Sequence, residues 1–357
     1  MNHSPGQQNT NPAFTHTTVP DLDDIAPLLR PVIRRSGFGD ESVHKRRRII
    51  ADLGLDIGDY TPISLPLVSP LIDQYVLMDL PGAHGYVFPE LLGSYVVPAL
   101  LRHWGITAEQ AFAAAYRNME GASAVALDDT PAGTGKPELI ELSGEPGDFA
   151  GSFPMLDGWY EQVCHALGSN TLLFMPAEGE LVLGRNLMGG GTWLWEEIQR
   201  RYERAKRPLS PLPYVCDRGR LTPYQPGFES PEFRAVEEAS ARFTADCYRT
   251  QAERLRALRT DGGYNWLVAD VIAALRADGT GLTSAPWVAA DNTLMPIVNQ
   301  VIVHDAEADE HFAVPLDLIV GIVQAKPVPD MSPPRYLLRQ HPDPATMARL
   351  RRVATMH

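Results

Sequence analysis

Apolar and polar residues recur along the chain with periods typical of both helices and strands. A threonine at position 107 is followed three residues later by Gln110, and apolar side chains then recur at intervals of three and four. These apolar positions are Phe112, Ala115, Tyr116 and Met119. The spacing predicts an amphipathic helix that begins with a capping box at Thr107 and ends at Gly121.

In the middle of the chain, hairpins alternate with single amphipathic helices. The patterns predict a helix over Phe153–Leu167 that ends at Gly168, a hairpin over Thr171–Leu183 that turns at Ala177–Gly179, and a helix over Thr192–Ala205. Regular βαβ units are absent from this pattern. We therefore expect an α+β fold, with a mainly antiparallel sheet and helices packed on one face.

A different region is expected after residue 225. Ser230–Pro231 suits a helix start, because serine caps helices and proline is tolerated at the first helical position. The sequence predicts a long helix over 231–260 that packs across another element or pairs with a second helix over Trp266–Ala277. A hairpin around an acidic turn and then a strand should follow, over Val298–Val303, Phe312–Leu316 and Leu318–Gln324.

The predicted organisation thus has three parts. A disordered arm covers residues 1–20, an α+β domain covers 21–225, and a C-terminal α+β region with the long helix covers 226–357. The start of the second part reads as a short helix, because apolar residues have helical spacing from Ile25 to Ile33. The basic run His44–Arg48 follows, which we interpret as a solvated helix face rather than a phosphate contact.

Charge and composition restrict the classes of function. The chain has 31 Lys and Arg against 44 Asp and Glu, a net charge of −13, which argues against broad nucleic-acid binding. An acidic surface suits a basic protein partner or simply solubility. No apolar run approaches the ~20 residues of a membrane span, and the polar N-terminus lacks a signal-peptide pattern. We therefore expect a cytoplasmic protein without membrane association, and the oligomeric state stays open.

Three cysteines, far apart and without a CxxC pair, predict reduced thiols rather than disulfides or a zinc site. Cys164 and His165 are adjacent on a predicted helix, where their side chains diverge by about 100° and cannot form a nucleophile–base pair. The histidines His84, His103 and His341 lie in separate predicted elements. The sequence alone therefore assembles no catalytic triad from them.

Two polar motifs contain ligand-type residues without the full pattern of a site. Gly133–Lys136 ends like a phosphate-binding loop, but Pro137 stands where such a loop has Ser or Thr. His304–His311 combines two histidines with four carboxylates, which are ligands suited to a divalent cation. Solvated charge is common at hairpin tips, so we assign no metal ligand and leave metal binding by this turn open.

Structural roles explain two other features. The tryptophans Trp104, Trp159 and Trp193 lie next to predicted apolar faces, which favours core packing over ligand stacking. Asp148 and Ser152 precede the predicted helix at Phe153, where short polar side chains cap free backbone amides.

Four segments carry a resemblance in their order along the chain. They are Val97–Met119, Gly147–Ser152, Leu172–Leu183 and Pro213–Pro223. Together they resemble the YtpQ-like family of bacterial cytosolic proteins, a domain of unknown function. The family's hairpin commonly has an Asp after its Pro, whereas Pro176–Gly179 has glycine there. The resemblance covers only the middle of the chain and transfers no catalytic residue.

Two functional hypotheses follow. The favoured one is a cytosolic, non-catalytic binding protein, of immunity or adaptor type, whose acidic surface meets a basic protein partner. The alternative is a hydrolase or transferase whose site is assembled from distant segments. Catalytic residues stay unknown, and neither a cofactor nor a metal is predicted.

Overall fold

The computed structural model describes residues 21–44, 47–52, 54–66, 71–79, 94–121, 123, 136–142, 147–168, 171–185, 193–217, 220–260, 266–288, 292–329 and 331–354. The fold is α+β with mainly antiparallel sheets, as predicted. Several predicted features lie outside the described residues: the arm over 1–20, Lys45 and Arg46 of the basic run, His84, and the glycines of Gly133–Gly135.

The first sheet is three-stranded, in the order β1-β3-β2, and antiparallel. Its strands are Leu29–Arg35 (β1), Ser64–Pro66 (β2) and Ile72–Met78 (β3). The predicted helix from Ile25 to Ile33 is wrong, because helix α1 covers only Leu22–Ile25 and a short 3-10 turn leads into β1. Pro31 lacks the amide that a helix interior needs, and β-branched Val32 and Ile33 favour an extended chain.

The outer edge of β1 is occupied by side chains. The amide of Asn118 donates to the carbonyl of Leu29 at 3.0 Å, and the Arg34 guanidinium donates to the carbonyl of Ile33 at 2.8 Å. Pro31 presents no backbone N–H at all. These contacts block the pairing groups through which an exposed edge strand would accept another strand.

Helices cover this first sheet. They are Phe38–His44 (α2), Arg47–Asp52 (α3), Pro98–Trp104 (α4) and Ala108–Arg117 (α5). The predicted capping box of α5 is confirmed, since Thr107 and Gln110 each accept a bond from the other's backbone amide. The helix ends at Asn118 rather than at Gly121, because the Asn118 side chain turns back to bind the carbonyls of Ala26 and Leu29.

The central sheet is five-stranded and antiparallel, in the order β4-β6-β5-β7-β8. Its strands are Glu138–Leu142 (β4), Leu172–Ala177 (β5), Leu181–Arg185 (β6), Pro208–Asp217 (β7) and Arg220–Pro223 (β8). The predicted hairpin is confirmed, with Gly179 in the left-handed conformation at its turn. Successive residues of a strand point to opposite faces of the sheet, and here the two sets of side chains join two separate buried clusters. Both faces of the sheet are therefore covered.

Two helices flank the central sheet, Trp159–Leu167 (α6) and Trp193–Arg204 (α7). The helix expected over Phe153–Leu167 is interrupted. A 3-10 helix covers Gly147–Met155, with Pro154 inside it. Gly158, in the left-handed conformation at φ 72°, is the N-cap of the separate helix α6. Ser152 is therefore not a cap of this helix but a buried residue of the 3-10 segment, while the Asp148 side chain is outside the described residues.

The long helix α8 covers Phe233–Thr260. It starts three residues after Ser230, whose hydroxyl has no hydrogen-bond partner in the described part of the chain, so Ser230 is not its cap. Its Phe243 and Cys247 join the core that also contains the central sheet. The domain boundary at residue 225 stays a prediction.

Two four-stranded sheets form the C-terminal part, in the orders β10-β11-β13-β14 and β15-β16-β12-β9. Their strands are Leu267–Val268 (β9), Ile272–Leu275 (β10), Gly281–Trp287 (β11), Asn292–Pro296 (β12), Gln300–Asp305 (β13), Glu310–Pro315 (β14), Lys326–Pro327 (β15) and Arg335–Arg339 (β16). Strands β9 and β10 replace the second helix expected over Trp266–Ala277.

The predicted acidic hairpin is confirmed as β13 and β14. The strand predicted over Leu318–Gln324 is instead helix α9, over Leu316–Val323, and a last helix, α10, covers Pro344–Ala354. A short apolar run does not distinguish a strand from a buried helix by periodicity alone. Here Leu316 and Ile319, three residues apart, form the buried helical face.

A buried arginine joins α8 to the C-terminal sheets. Arg335 is fully buried, and its guanidinium donates to Gln251 at 2.6 Å and to the carbonyls of Ala269 and Leu294 at 2.9 Å. The guanidinium also lies over the ring of Tyr248, 5.0 Å from its centroid. Burial lowers the pKa of Arg335 to about 10. Among the helices of the described ranges, none is long and apolar enough to cross a membrane.

Candidate functional site

A cavity of about 730 Å³ lies where β1, the residues leading into β7, and α8 meet. Cationic side chains dominate its walls. The five are Arg34, Arg35, Lys206, Arg207 and Arg254, against two carboxylates, Glu41 and Glu178. We call this cavity, defined by these seven residues, the cationic cleft.

The edge position of β1 explains how neighbouring arginines reach one cavity. Arg34 and Arg35 are consecutive strand residues, so their side chains leave opposite faces of the first sheet. Because β1 is the last strand of that sheet, a cavity along its edge is open to both faces. The two guanidiniums therefore line different walls of the cationic cleft.

Arg34 belongs to a wall in which cations share a carboxylate. Its Nε donates to the hydroxyl of Tyr95 at 3.0 Å and lies 3.4 Å from Oε2 of Glu178. The same oxygen lies 3.5 Å from Nη1 of Arg207, so one carboxylate serves two guanidiniums. Burial raises the pKa of Glu178, and the two arginines oppose that rise. The wall keeps an excess of positive charge.

Arg35 lies on the opposite wall with neutral partners. Its Nε donates to the carbonyl of Leu209 at 3.3 Å, and its Nη2 donates to the hydroxyl of Tyr202. The guanidinium lies over the rings of Tyr202 and Phe243, 5.2 and 5.6 Å from their centroids. Within the described ranges, no carboxylate comes within ion-pairing distance of Arg35.

Arg254 extends this wall along α8. It donates to the carbonyl of Gly37 at 2.9 Å and pairs with Asp40 at 2.9 Å. Lys206, by contrast, is exposed and has no ion-pair partner in the part of the chain that the structure describes. Lys206 is therefore a cation of the cationic cleft that no carboxylate of the described ranges contacts, whereas Arg35 reaches the Asp246 carboxylate through the Tyr202 hydroxyl, which donates to Asp246 Oδ2 at 3.1 Å.

A polar network lies behind the Ser36–Gly37 turn. The carboxylate of Asp73 accepts from the hydroxyl of Ser332 at 3.3 Å, and the hydroxyls of Ser332 and Ser36 bind each other. Burial raises the pKa of Asp73 to about 6. The hydrogen bonds that its carboxylate accepts, including one from the amide of Gly37, limit this rise. A carboxyl that titrates near neutrality is typical of acid–base sites, but this one is almost fully buried and has several donors.

Cys247 also lines the cationic cleft, but its thiol is unsuited to nucleophilic attack. The residue is 3% exposed, and burial raises its pKa to about 12. The thiolate is the reactive form of cysteine, and at neutral pH it is essentially absent here. The chemistry of the cationic cleft therefore lies in its cations.

The residues singled out by the sequence lie elsewhere. His304 and His311 are directly opposite each other in the β13–β14 hairpin, with stacked rings 4.5 Å apart. His341 contacts Trp287 instead, and Cys164 is on α6. Among the described residues, no three His, Cys, Asp or Glu side chains are placed to hold a metal ion together.

The cationic cleft is not predicted from the sequence, because none of its arginines belongs to a motif that indicates a binding site. The one local signal is the Arg34–Arg35 pair inside an otherwise apolar stretch. The other cations are remote in sequence, at Lys206–Arg207 and Arg254, and a single sequence does not show that they meet.

Comparisons with protein-family models, curated proteins and solved structures find no match to this chain.

Proposed function

We propose that this chain is a non-catalytic binding protein whose cationic cleft takes an anionic ligand. The observation that carries the proposal is the charge of the cavity wall, five cations against two carboxylates, in a chain of net charge −13. A concave site lined by one sign of charge focuses the electrostatic potential and raises the local concentration of ligands of opposite charge.

Arg35 supports this proposal most directly. A half-buried guanidinium has lost part of its hydration, and its described partners are a carbonyl, a hydroxyl and two aromatic rings. The Asp246 carboxylate is reached only through the Tyr202 hydroxyl. A bound carboxylate or phosphate group would add direct charge-assisted hydrogen bonds, which are shorter and stronger than neutral ones. Lys206 offers a second such contact.

A basic protein partner remains a second candidate for another part of the surface. With five cations gathered in one cavity, the remaining surface is more acidic than the net charge of −13 suggests. Complementary charge would guide a basic partner to it, as in an immunity or adaptor protein. The proposal includes a cytosolic location, in keeping with three free cysteines. The YtpQ-like resemblance stays a prediction and adds no activity.

The enzyme alternative has one specific observation in its favour. Asp73, Ser36 and Ser332 come from distant segments and meet in one network, and a pKa of about 6 at Asp73 suits a general acid or base. We favour binding because Asp73 is 7% exposed and faces hydroxyl and amide donors rather than open cavity.

Calorimetric titration with tripolyphosphate at low ionic strength tests the binding proposal. We expect saturable binding that Lys206→Gln and Arg35→Gln each weaken by about tenfold or more, since a hydrogen bond to a charged group contributes about 1.5–3 kcal/mol. Arg339→Gln, an exposed position on β16, is the matched control and should bind like the parent chain. Absence of binding, or equal binding by all three variants, contradicts the proposal.

A turnover assay separates the alternative. Ester, phosphoester and nucleotide substrates should be inert with the purified protein. Turnover that Asp73→Asn abolishes, while circular dichroism shows a folded variant, would make the chain an enzyme and overturn the non-catalytic part of the proposal.

A further inference from the structure

We infer that the ligand of the cationic cleft is a small anion that carries an aromatic ring. Its carboxylate or phosphate group binds at Lys206 and Arg207. Its ring lies against three partly exposed residues of the cavity wall, Phe38, Leu77 and Tyr95, which we call the apolar patch. This inference rests on the proposed function and specifies the ligand.

The apolar patch lies on one face of the first sheet. Tyr75 and Leu77 are two residues apart on β3, so their side chains leave the same face. Tyr95 is directly opposite Leu77 in an antiparallel bridge, which places its side chain on that face as well. The ring of Phe38 packs against those of Tyr75 and Tyr95, with centroids 5.2 and 5.0 Å apart. The three side chains of the patch therefore form one continuous surface.

This surface is incompletely covered. Tyr75, behind the patch, is 2% exposed, whereas Phe38, Leu77 and Tyr95 are half-buried and border the cavity. A bound apolar group would remove the remaining apolar area from water, which is favourable. Most of the other residues described around the cavity are polar or charged. The apolar part of the ligand is therefore short, on the scale of one ring rather than a long chain.

Arg34 favours a flat ring over a saturated group. It lies on the same face of the sheet, opposite Asp73 in the register of β1 and β3. Its guanidinium is over the rings of Phe38 and Tyr95, 5.7 and 5.9 Å from their centroids. A guanidinium is attracted to aromatic faces, and aromatic rings pair with each other edge-to-face or offset-stacked. A ring on the ligand would extend this group of rings and guanidinium, whereas a saturated group would add only dispersion contacts.

The cations that receive the anionic group lie beside the patch. Arg207 is 75% exposed and reaches Glu178 only at 3.5 Å. The same carboxylate oxygen lies 3.4 Å from Arg34, whose Nε donates to the hydroxyl of Tyr95. Lys206 precedes Arg207 in the chain and is exposed. Three cations and one carboxylate leave this wall with a net positive charge next to the apolar patch.

Ligands with only one of the two properties use half of the site. An inorganic anion or a polyphosphate would bind Lys206 and Arg207 but leave the apolar patch in water. A neutral aromatic molecule would cover the patch but leave the charge of the two cations unused. The cavity volume of about 730 Å³ is within the range of small-molecule sites, about 300–1,000 Å³.

The test is calorimetric titration of the parent chain, at low ionic strength, with ligands that share a charged group and differ in the body attached to it. They are phenyl, cyclohexyl and methyl phosphate, benzoate and acetate, and phenol as the neutral ring. We expect phenyl phosphate or benzoate to bind at least about tenfold more tightly than its methyl counterpart, since burial of a phenyl side chain is worth that much. Phenyl phosphate should also bind more tightly than cyclohexyl phosphate.

Variants locate the two parts of the site. Leu77→Asn and Phe38→Leu should each remove most of the preference for the ring and leave the affinity for methyl phosphate unchanged. Leu65→Asn, at a leucine that is 38% exposed on β2 of the same sheet, is the matched control and should keep the preference. Lys206→Gln should weaken phenyl and methyl phosphate by the same factor. The parent chain alone decides the ring preference, so the test does not depend on the folding of any variant.

Each other outcome has a defined meaning. If methyl phosphate and acetate bind as tightly as their aromatic counterparts, the inference fails while the anion-binding function stands. If cyclohexyl phosphate equals phenyl phosphate, the body of the ligand is apolar but not aromatic, and the inference is again wrong. If phenol binds as tightly as phenyl phosphate, or if no anion binds to the folded parent chain, the proposed function fails together with the inference.

Discussion

The hydroxyl of Ser332 donates a hydrogen bond of 3.3 Å to the carboxylate of Asp73, although 259 residues separate the two in sequence. Ser332 also binds the hydroxyl of Ser36, at the turn that leads from β1 into the cationic cleft. The segment before β16 is thereby fixed to the first sheet. The stability of this junction should depend on the charge of Asp73.

The contribution of Asp73 to the free energy of unfolding should fall as the pH rises from about 4 to about 6. Burial raises its folded-state pKa to about 6 from the ordinary value of 3.8, so the folded chain binds more protons than the unfolded chain in this window. The loss is at most about 3 kcal/mol, at about 1.4 kcal/mol per pKa unit.

Urea denaturation of the parent chain and of Asp73→Asn, between pH values of about 4.5 and 7, measures this contribution. The unfolding free energy of the parent minus that of the variant should decrease with rising pH and level off above about 6.5. If this free-energy difference stays constant over the pH range, the pKa of Asp73 is not raised in the folded chain.

Gly37→Ala should destabilise the fold more than Gly105→Ala. Both glycines have positive φ, +85° and +68°, so both substitutions carry a backbone penalty of about 1–2 kcal/mol. Only at Gly37 would the new Cβ meet an obstacle, 2.5 Å from the carbonyl oxygen of Ser332. We expect a further loss of about 1–3 kcal/mol there. Thermal unfolding of both variants measures the difference. Equal melting temperatures would show that the backbone at Ser332 moves away from the new Cβ at little cost.

Arg335→Met should be among the most destabilising single changes on β16. It removes the donor for the carbonyls of Ala269 and Leu294 and for the side chain of Gln251, all of which stay buried. A buried acceptor left without a donor costs about 1–3 kcal/mol, and this change leaves several. Arg339→Met, exposed on the same strand, should change the unfolding free energy by no more than about 0.5 kcal/mol in chemical denaturation. A small effect at Arg335 would mean that the carbonyls find other donors.

The thiol of Cys247 should resist alkylation by iodoacetamide in the folded protein near pH 8. Burial raises its pKa to about 12, and the alkylating form is the thiolate. Peptide mass spectrometry should find Cys247 unmodified in the folded chain and modified in denaturant, where Cys164 and Cys216 serve as internal references. Rapid native labelling of Cys247 would indicate frequent opening of α8 from the central sheet.

The parts of the fold that were predictable are those specified by contiguous residues. The capping box at Thr107, the turn at Gly179 and the end of α6 at Gly168 each depend on a few neighbouring positions. The failures have two kinds of cause. From Ile25 to Ile33, the spacing of apolar residues is compatible with both a helix and a strand. Over Leu318–Gln324, a short apolar run predicts a strand although the segment is helical.

The cationic cleft was unpredictable for a different reason. Arg35 and Lys206 line one cavity although they come from different elements, and no carboxylate of the described ranges contacts Lys206. Local sequence cannot show that absence. The buried Arg335 is a similar case, since its acceptors lie on three separate segments.

Helix α8 has 28 residues, which at 1.5 Å per residue is a rod of about 42 Å. Its Phe243 and Cys247 complete a core built largely by strands that precede it along the chain. A ribosome releases those strands first, because synthesis runs from the N-terminus. The part of the central core that Phe243 and Cys247 cover therefore stays exposed on the nascent chain until α8 has been made.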